Sequence, residues 1–333
     1  MTTVRPDRIM NLANAFYDSC VLFTASDLGI FRQLATTSPA DVAAVAAALE
    51  LDPRATRLLM DACVALGLLT QEGGAYCNTP EAAAFLVPGA AGDLSGAIRY
   101  NRDVYAAWGQ LPELVRSGQP VEAPAIHLGD DPARTRAFVM AMHGRAMGIG
   151  RMVIPMLHLP EAGRLLDIGG GSGAYAILAA EHRAGLACTM MDLPGVVAIA
   201  AELVEAAGLA DRVTCVPGDY HTAEFPPDND VINILGVLHQ EAPEAIIDVF
   251  KRAYAALKPG GVINVLDMMT DATRSEPAFS ALFAVNMALT TTNGWVFSDE
   301  DLASWLATAG FIDFECRPLP PPMPHWLATA RKA

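Results

Sequence analysis

Three aspartates, each at or near the end of a predicted apolar strand, are the residues of this sequence best placed to do chemistry. Asp167 lies in LLDIGGGSG, Asp192 ends CTMMD and Asp219 ends VTCVPGD. The carboxyl ends of parallel strands meet at one edge of a sheet, where open α/β sheets bind their ligands. These carboxylates are therefore expected to lie together and to bind polar or cationic groups of one ligand.

A glycine-rich turn follows the first of these strands. It joins a predicted strand over residues 165–168 to a predicted helix over residues 175–182. The residues of the turn that a ligand would approach most closely are Gly169, Gly171 and Gly173. Without a Cβ, glycine accepts positive φ and lets a ligand lie against the backbone.

Two kinds of ligand compete for this turn. The dinucleotide pattern G-x-G-x-x-G/A is matched by Gly169, Gly171 and Ala174. Asp192 also follows at about the 20 residues expected of that pattern. Asp167, however, would repel a pyrophosphate and would stabilise the sulfonium of S-adenosylmethionine. With Asp192 on the ribose hydroxyls and Asp219 at the adenine edge, the three acids favour S-adenosylmethionine.

A histidine stands at the same predicted edge of the sheet. His239 follows the apolar strand VINILGVL at its carboxyl end and would face the same crevice as the glycine turn. Histidine titrates close to neutrality, which suits a general base that removes a proton from a nucleophile. A histidine at a strand end is more often structural, so on position alone His239 is only a candidate general base.

A further group of candidate residues lies in a predicted helix over the pocket. Met142, His143 and Arg145 lie within MHGR, where the arginine could bind a substrate carboxylate through two hydrogen bonds. His143 could pair with His239 around an acceptor or a metal. The apolar residues expected to line the acceptor pocket are Met142, Met147, Phe279, Phe283, Met287 and Trp295.

Taken together, the motifs resemble those of a known family. LLDIGGGSGAYAI, MDLPGVV, VPGDYH, LHQEAPEAIIDVFKRAYAALKPGGVINVLD and the closing ATARK are similar to the small-molecule O-methyltransferases of the plant caffeate type and their bacterial antibiotic-pathway relatives. The resemblance implies a homodimer that uses S-adenosylmethionine, methylates a small-molecule acceptor and releases S-adenosylhomocysteine. It implies His239 as the base, with Asp267 orienting it. The cofactor contacts that it implies are Asp167, Gly169, Gly171, Gly173, Asp192, Leu193, Asp219 and Tyr220.

The sequence departs from that family where the base lies. The usual His-Asp-Trp is His239-Gln240-Glu241 here, and Asp267 replaces a more usual glutamate. A second acid of the family falls near Val296, where this chain has none. Three functions therefore stay open: O-methylation of an aromatic hydroxyl, C-methylation of an activated carbon such as that of a 2-oxo acid with or without a metal, and S-adenosylmethionine binding without methyl transfer. The first is the leading prediction, without a metal.

The fold class expected is α/β, with a doubly wound Rossmann-like class I methyltransferase domain preceded by a helical winged-helix dimerisation domain. The predicted domains are residues 1–92 for dimerisation, 93–160 for a helical bridge and substrate cap, and 161–333 for cofactor binding and catalysis. The strands predicted in the last domain are residues 165–168, 188–192, 213–217, 231–235, 262–267, 311–317 and 326–331. Alternating strands and helices favour a mostly parallel sheet.

Composition excludes several classes of function. The 333 residues carry 22 Lys and Arg against 37 Asp and Glu, a net charge of −15, which is unsuited to a nucleic-acid partner. The predicted recognition helix of the winged-helix pattern also lacks a basic stripe. Six cysteines occur without C-x-x-C pairs, no signal-type segment begins the chain, and no apolar run reaches the roughly 20 residues of a membrane span. These features predict a cytoplasmic protein that binds neither nucleic acid nor membrane.

Overall fold

The structure is a computed structural model that describes residues 4–90, 92–122, 131–320 and 323–333. The chain divides into two compact units, Met1–Asp103 and Val104–Ala333. The predicted bridge over residues 93–160 is shared between these units, and part of it lies outside the described residues.

The first unit has a winged-helix arrangement, as the sequence predicts. Its elements are α1 (Asp7–Asn14), α2 (Phe16–Asp27), α3 (Ile30–Thr37), β1 (Ala40–Asp41), α4 (Val42–Ala48), α5 (Pro53–Ala65), β2 (Leu69–Glu72), β3 (Ala75–Asn78), α6 (Pro80–Phe85) and α7 (Ser95–Asp103). The three strands pair antiparallel in the order β1-β3-β2. Asp41 and Asp52 cap α4 and α5, because their carboxylates accept backbone N–H groups at 2.8 Å.

Helix α1 is the least buried part of this unit. None of its residues is buried, although it carries Ile9 and Leu12, which are 70% and 68% exposed. Phe16 and Tyr17, at the start of α2, are also exposed. Large apolar side chains grouped on one exposed surface indicate a protein–protein contact.

The second unit is an α/β domain built on one sheet. Its helices are α8 (Tyr105–Trp108), α9 (Leu111–Ser117), α10 (Pro132–Val153), α11 (Ala174–His182), α12 (Pro194–Ala206), α13 (Pro243–Ala256), α14 (Ala278–Thr290) and α15 (Asp299–Thr308). Its strands are β4 (Ala162–Ile168), β5 (Gly185–Asp192), β6 (Val213–Pro217), β7 (Asn229–Leu235), β8 (Leu257–Asp267), β9 (Phe311–Pro318) and β10 (Trp326–Lys332). All seven predicted strands are confirmed.

The sheet has the order β6-β5-β4-β7-β8-β10-β9. The first five strands are parallel, and β10 runs antiparallel to both β8 and β9. The chain order reverses between β4 and β7, so a crevice opens at their carboxyl ends. Alternate residues of the strands supply two cores, one on each face of the sheet. The segment Lys258-Pro-Gly-Gly261, whose proline and glycines are typical of a turn, lies inside β8.

None of the helices in the described ranges is both long enough and apolar enough to cross a membrane.

Candidate active site

The glycine turn leaves the end of β4 and leads into α11. Gly169, Gly171 and Gly173 all have positive φ, at 66°, 57° and 74°. The N–H groups of Gly169 and Gly170 donate to the carbonyl of Met191 at 2.9 and 3.1 Å, which ties the turn to β5. A Cβ on Gly169 would lie 2.7 Å from the Val237 side chain, whereas one on Gly171 would meet nothing within 4 Å. Gly171 therefore borders open space, where a ligand can approach the backbone.

Asp167 is buried in β4, 1% exposed, and its Oδ2 has no hydrogen-bond partner among the described residues. Burial, followed by the neighbouring negative charge of Asp192, raises the pKa of this carboxyl to about 8. At neutral pH the ligand-free carboxyl is therefore mostly protonated. A cation bound nearby would favour its ionised form.

Asp192 ends β5 and faces the glycine turn. Its Oδ2 accepts the Gly171 N–H at 2.8 Å and its Oδ1 accepts the Leu193 N–H at 2.7 Å. Burial raises the pKa of Asp192, while these two backbone hydrogen bonds oppose the rise. Each oxygen keeps a further lone pair, so the carboxylate can still accept two ligand hydroxyls. Leu193 caps α12 and places its backbone N–H at this position.

Asp219 and Tyr220 follow β6, in the next loop along this edge of the sheet. One oxygen of Asp219 accepts the His221 N–H at 2.9 Å. The Tyr220 hydroxyl donates to Glu241 at 2.5 Å and accepts a hydrogen bond from Gln240 at 3.1 Å. Burial, followed by the charge of Glu241, raises the pKa of Tyr220. The Tyr220 hydroxyl is thus already bonded to the protein, which leaves its ring as the surface available to a ligand.

His239 lies in a single 3-10 turn directly after β7. Its Nδ1 lies 2.7 Å from Oδ1 of Asp267, the last residue of the neighbouring strand β8. Asp267 is 1% exposed and also accepts the backbone N–H groups of Met268 at 2.8 Å and His239 at 3.3 Å. Because an ionised carboxylate only accepts, it assigns the imidazole proton to Nδ1. The lone pair of Nε2 is then free to accept a proton from another molecule.

The remaining surroundings of His239 are apolar. Its ring contacts Phe283 edge-on, with centroids 5.1 Å apart. Val296, where the family has its second acid, is buried. Among the described residues, Asp267 is the carboxylate that bonds to the His239 ring.

The candidate residues on α10 divide between two places. His143 lies 3.0 Å through Nδ1 from the Ser172 hydroxyl in the glycine turn, and burial lowers its pKa. The structure therefore places His143 with the cofactor turn, and within the described residues no hydrogen bond joins it to His239. Arg145 lies two residues further along the helix, where its positive charge acts to lower the pKa values of Tyr175 and His325.

The predicted pocket-lining residues have different surroundings. Met142 is half-buried on α10, and Met287 is buried on α14. The Trp295 indole N–H donates to the Glu241 carbonyl at 2.7 Å, and its backbone N–H donates to the His239 carbonyl at 2.9 Å. Trp295 thus holds the loop that carries His239, and its N–H is not available to an acceptor.

Two buried residues near the site were not predicted from the sequence. Glu241 is 6% exposed and bonds to the Tyr220 hydroxyl, while His221 Nε2 lies 3.3 Å from the same carboxylate. His325 is 7% exposed, and its Nδ1 has no partner in the described part of the chain. Its position directly before β10, opposite the end of β8, was the one available signal.

No group of three or more His, Cys, Asp or Glu side chains in the described ranges is arranged to hold a metal ion.

The residues present fit S-adenosylmethionine. The unpartnered Oδ2 of buried Asp167 suits a nearby positive charge, and the free lone pairs of Asp192 suit ribose hydroxyls. Gly171 borders open space between them.

Comparisons with known proteins agree with this fit. A family profile described as the O-methyltransferase domain matches residues 118–312, and one described as the O-methyltransferase dimerisation domain matches residues 10–88. A 3-hydroxy-5-methyl-1-naphthoate 3-O-methyltransferase from Streptomyces sahachiroi is 29% identical, covering 92% of this chain and 89% of the relative. Acetylserotonin O-methyltransferase from Mus musculus is 32% identical, covering 93% and 84%.

A solved structure extends the likeness to three dimensions. Human N-acetylserotonin methyltransferase in complex with SAM superposes with a TM-score of 0.88 at 29% identity, covering 99% of each chain. The profile for the catalytic domain spans more than half of the chain, and the mouse relative exceeds 30% identity over nearly all of it. The chain therefore belongs to the S-adenosylmethionine-dependent O-methyltransferases that carry an N-terminal dimerisation domain.

Proposed function

We propose that this enzyme methylates a hydroxyl on an aromatic small molecule of secondary metabolism, with His239 as the general base. The observation that carries the proposal is the 2.7 Å contact between Nδ1 of His239 and buried Asp267, at the same sheet edge as the glycine turn. It leaves Nε2 as a proton acceptor at the mouth of the crevice.

The chemistry divides between the cofactor and the chain. S-adenosylmethionine, when bound, supplies an electrophilic methyl group on a sulfonium. Asp192 and the glycine turn hold the nucleoside end, and His239 Nε2 removes the proton of the acceptor hydroxyl as it becomes a nucleophile. Asp267 stabilises the imidazolium that results. Phe283 and Met287 exclude water from the reacting groups and keep the two reactants in line.

The acceptor class is supported by the relatives. One relative is named as acting on a hydroxynaphthoate and another as acting in tetracenomycin polyketide synthesis. The test is to incubate the enzyme with S-adenosylmethionine and a panel of phenols, naphthols and hydroxylated aromatic acids, and to assign products by mass and carbon NMR. A methyl carbon bonded to oxygen supports the proposal, whereas one bonded to carbon would establish the C-methylation alternative. Cofactor binding without release of S-adenosylhomocysteine from any acceptor would favour the alternative that binds without transfer.

Asp192→Ala is expected to weaken S-adenosylhomocysteine binding by about 10- to 100-fold, because it removes charge-assisted hydrogen bonds to the ligand and to the Gly171 N–H. Titration calorimetry measures the affinity. Asp211→Ala is the control, since Asp211 is an exposed aspartate in the loop after α12. Equal affinities of the two variants would remove the ribose assignment.

Cofactor binding is expected to release about one proton per site between pH 6 and 7, because the sulfonium favours the ionised form of Asp167, whose ligand-free pKa is about 8. Calorimetry in two buffers of different ionisation enthalpy counts the protons. In Asp167→Asn, the part of the binding enthalpy that depends on the buffer because of proton release from Asp167 should disappear. If Asp167→Asn releases as many protons as the wild type, the assignment to Asp167 is wrong.

The same carboxyl makes the stability of the ligand-free protein depend on pH. Its folded pKa of about 8 exceeds the ordinary value of 3.8, so the folded state binds more protons in this window. Its contribution to the free energy of unfolding is therefore full below pH 3.8 and decreases as the pH rises towards 8. Thermal melts of the wild type and Asp167→Asn between pH 3.8 and 8 separate the contribution of Asp167 to stability from those of the other titrating groups.

The matched dimerisation domain, the exposed apolar residues and the free cysteines bear on the quaternary state and the cellular location of the enzyme. The enzyme is a homodimer in which α1 and the start of α2 pair between subunits, supported by the matched dimerisation domain and by exposed Ile9 and Leu12. Light scattering should give twice the mass of the chain, and the double variant Ile9→Glu, Leu12→Glu should give the mass of a monomer.

The scattered free cysteines support a reducing, cytoplasmic location.

A further inference from the structure

His325 is a buried residue whose ring atom Nδ1 has no hydrogen-bond partner among the described residues. It lies directly before β10, it is 7% exposed, and its Nδ1 bonds to nothing in the described part of the chain. A buried polar atom without a partner is unusual in a folded protein and often marks the place of a missing ligand.

The topology places His325 on the acceptor side of the crevice. Trp326, the next residue, pairs with Asp267 at the end of β8. In the sheet order β4-β7-β8-β10, the start of β10 lies three strands from the glycine turn. At about 4.8 Å per strand this is a separation of roughly 14 Å. His325 is therefore next to the strand of the catalytic pair and away from the cofactor turn.

Arg145 reaches the same region from α10. Met323 and Leu327, on either side of His325, pack into the same core cluster as Ile149 of α10. Arg145 lies one helical turn before Ile149 and on the same stripe. Electrostatics agree with this packing, because burial, and then the charge of Arg145, lowers the pKa of His325 to about 4. The negative charge of Asp267 opposes this shift, and His239 adds to it. His325 is thus neutral at pH 7.

Arg145 has no counter-ion among the residues that the structure describes. Its side chain is half-buried, and it forms no hydrogen bond or ion pair with any residue that the structure describes. Other arginines of the same unit are paired: Arg136 with Glu202, Arg274 with Asp301 and Arg331 with Asp313. A partly buried guanidinium in a chain of net charge −15 is stabilised by an anion.

We propose that Arg145 and His325 form a carboxylate-binding subsite beside His239, so that the preferred acceptor is an aromatic acid whose hydroxyl is methylated. The proposal rests on the proposed function and specifies its substrate class. Arg145 supplies the charge and up to two hydrogen bonds, and neutral His325 donates one N–H from a buried position. These two fixed donors hold the carboxylate of the aromatic acceptor, and so determine which of its hydroxyls faces Nε2 of His239.

The test compares aromatic acids with their methyl esters. Hydroxybenzoic and hydroxynaphthoic acids, each beside its methyl ester, are titrated into enzyme saturated with S-adenosylhomocysteine, and methyl transfer to each compound is measured separately. The wild type should bind at least one acid more than about tenfold better than its ester. Arg145→Met should reduce that ratio by about tenfold or more, as expected from the loss of a charged bidentate contact.

The second variant tests the imidazole. His325→Leu should reduce the same ratio, and His325→Asn, which retains an N–H donor, should restore part of it. Arg151→Met and His182→Asn are the controls, because both residues are exposed on the helices α10 and α11, and neither should change the ratio. Far-UV circular dichroism and thermal melts identify any variant that fails to fold.

Each contrary result has its own meaning. Equal binding of acids and esters by the wild type, with methyl transfer intact, overturns the subsite and leaves the proposed function standing. An Arg145→Met variant that loses affinity for S-adenosylhomocysteine but keeps its acid preference assigns the arginine to the cofactor's carboxylate, which also overturns the subsite. Acid-selective binding without methyl transfer to oxygen supports the subsite and contradicts the proposed function.

Discussion

His239→Asn is expected to lower kcat by about 10²- to 10⁴-fold while S-adenosylhomocysteine affinity stays within about twofold of the wild type. The imidazole is the proposed base in the turn after β7, and the contact between its Nδ1 and Asp267 leaves Nε2 unprotonated. Asparagine keeps a polar side chain of similar reach but cannot accept the proton. The cofactor residues lie on β4, β5 and the loop after β6, so their contacts are unaffected.

The effect of His239→Asn should depend on the pKa of the acceptor hydroxyl. A phenol that is already ionised needs no base, so the loss in His239→Asn should shrink for acceptors with electron-withdrawing substituents and at alkaline pH. His182→Asn, at the exposed end of α11, serves as the control for a histidine change elsewhere in the domain. If His239→Asn keeps more than about a tenth of the wild-type kcat on an ordinary phenol, proximity alone accounts for catalysis.

The edge of the sheet could be predicted because its signals are local. The strands β4, β5, β7 and β8 are largely apolar runs that end at or next to a glycine or an acid, as at Gly169 and Asp192. The rule that ligands bind at the carboxyl ends of parallel strands then places those residues together without any knowledge of packing. The pairing of His239 with Asp267 was implied by the family resemblance, and the structure explains it, because β7 and β8 are adjacent strands that end at the same level.

The partners of individual side chains could not be predicted in the same way. His143 was placed correctly on a helix, but its contact with Ser172 depends on the rotation of α10 against the glycine turn. His325 was not among the predicted site residues, because its burial depends on β10 inserting between β8 and β9. Such contacts join residues far apart in sequence, and no local periodicity encodes them.

The unusual residues after His239 illustrate the same limit. Gln240 and Glu241 stand where the family usually has aspartate and tryptophan, which suggested a weakened site. In the fold, both residues bond to the Tyr220 hydroxyl, and the Glu241 carbonyl accepts the Trp295 indole N–H. The turn that carries His239 is therefore anchored to the cofactor loop on one side and to the segment after α14 on the other. A different set of contacts supplies the rigidity that a general base needs.

Asp267→Asn is the second change with a large expected effect, about 10²-fold or more in kcat. Both oxygens of Asp267 accept N–H groups: Oδ1 from Met268 and the His239 ring, and Oδ2 from the His239 backbone. An amide has only one accepting oxygen, so either orientation of asparagine sets its NH₂ against another donor. In one orientation the imidazole keeps its tautomer and loses the negative charge that stabilises its protonated form. In the other, the NH₂ donates to Nδ1 and forces the proton onto Nε2, where it blocks the base.

The two orientations can be told apart by nitrogen NMR of the histidine rings, with His239→Asn as the reference that lacks the signal. A loss of activity with Nδ1 still protonated means that Asp267 acts through its charge, whereas protonated Nε2 means that it acts by selecting the tautomer. Asp313→Asn is the control, because Asp313 makes an exposed ion pair with Arg331 in the same domain. An Asp267→Asn enzyme with wild-type kcat would show that Asp267 neither orients nor charges the base. Because Val296 supplies no second carboxylate, Asp267 has no substitute among the described residues, and the whole effect should appear in this one variant.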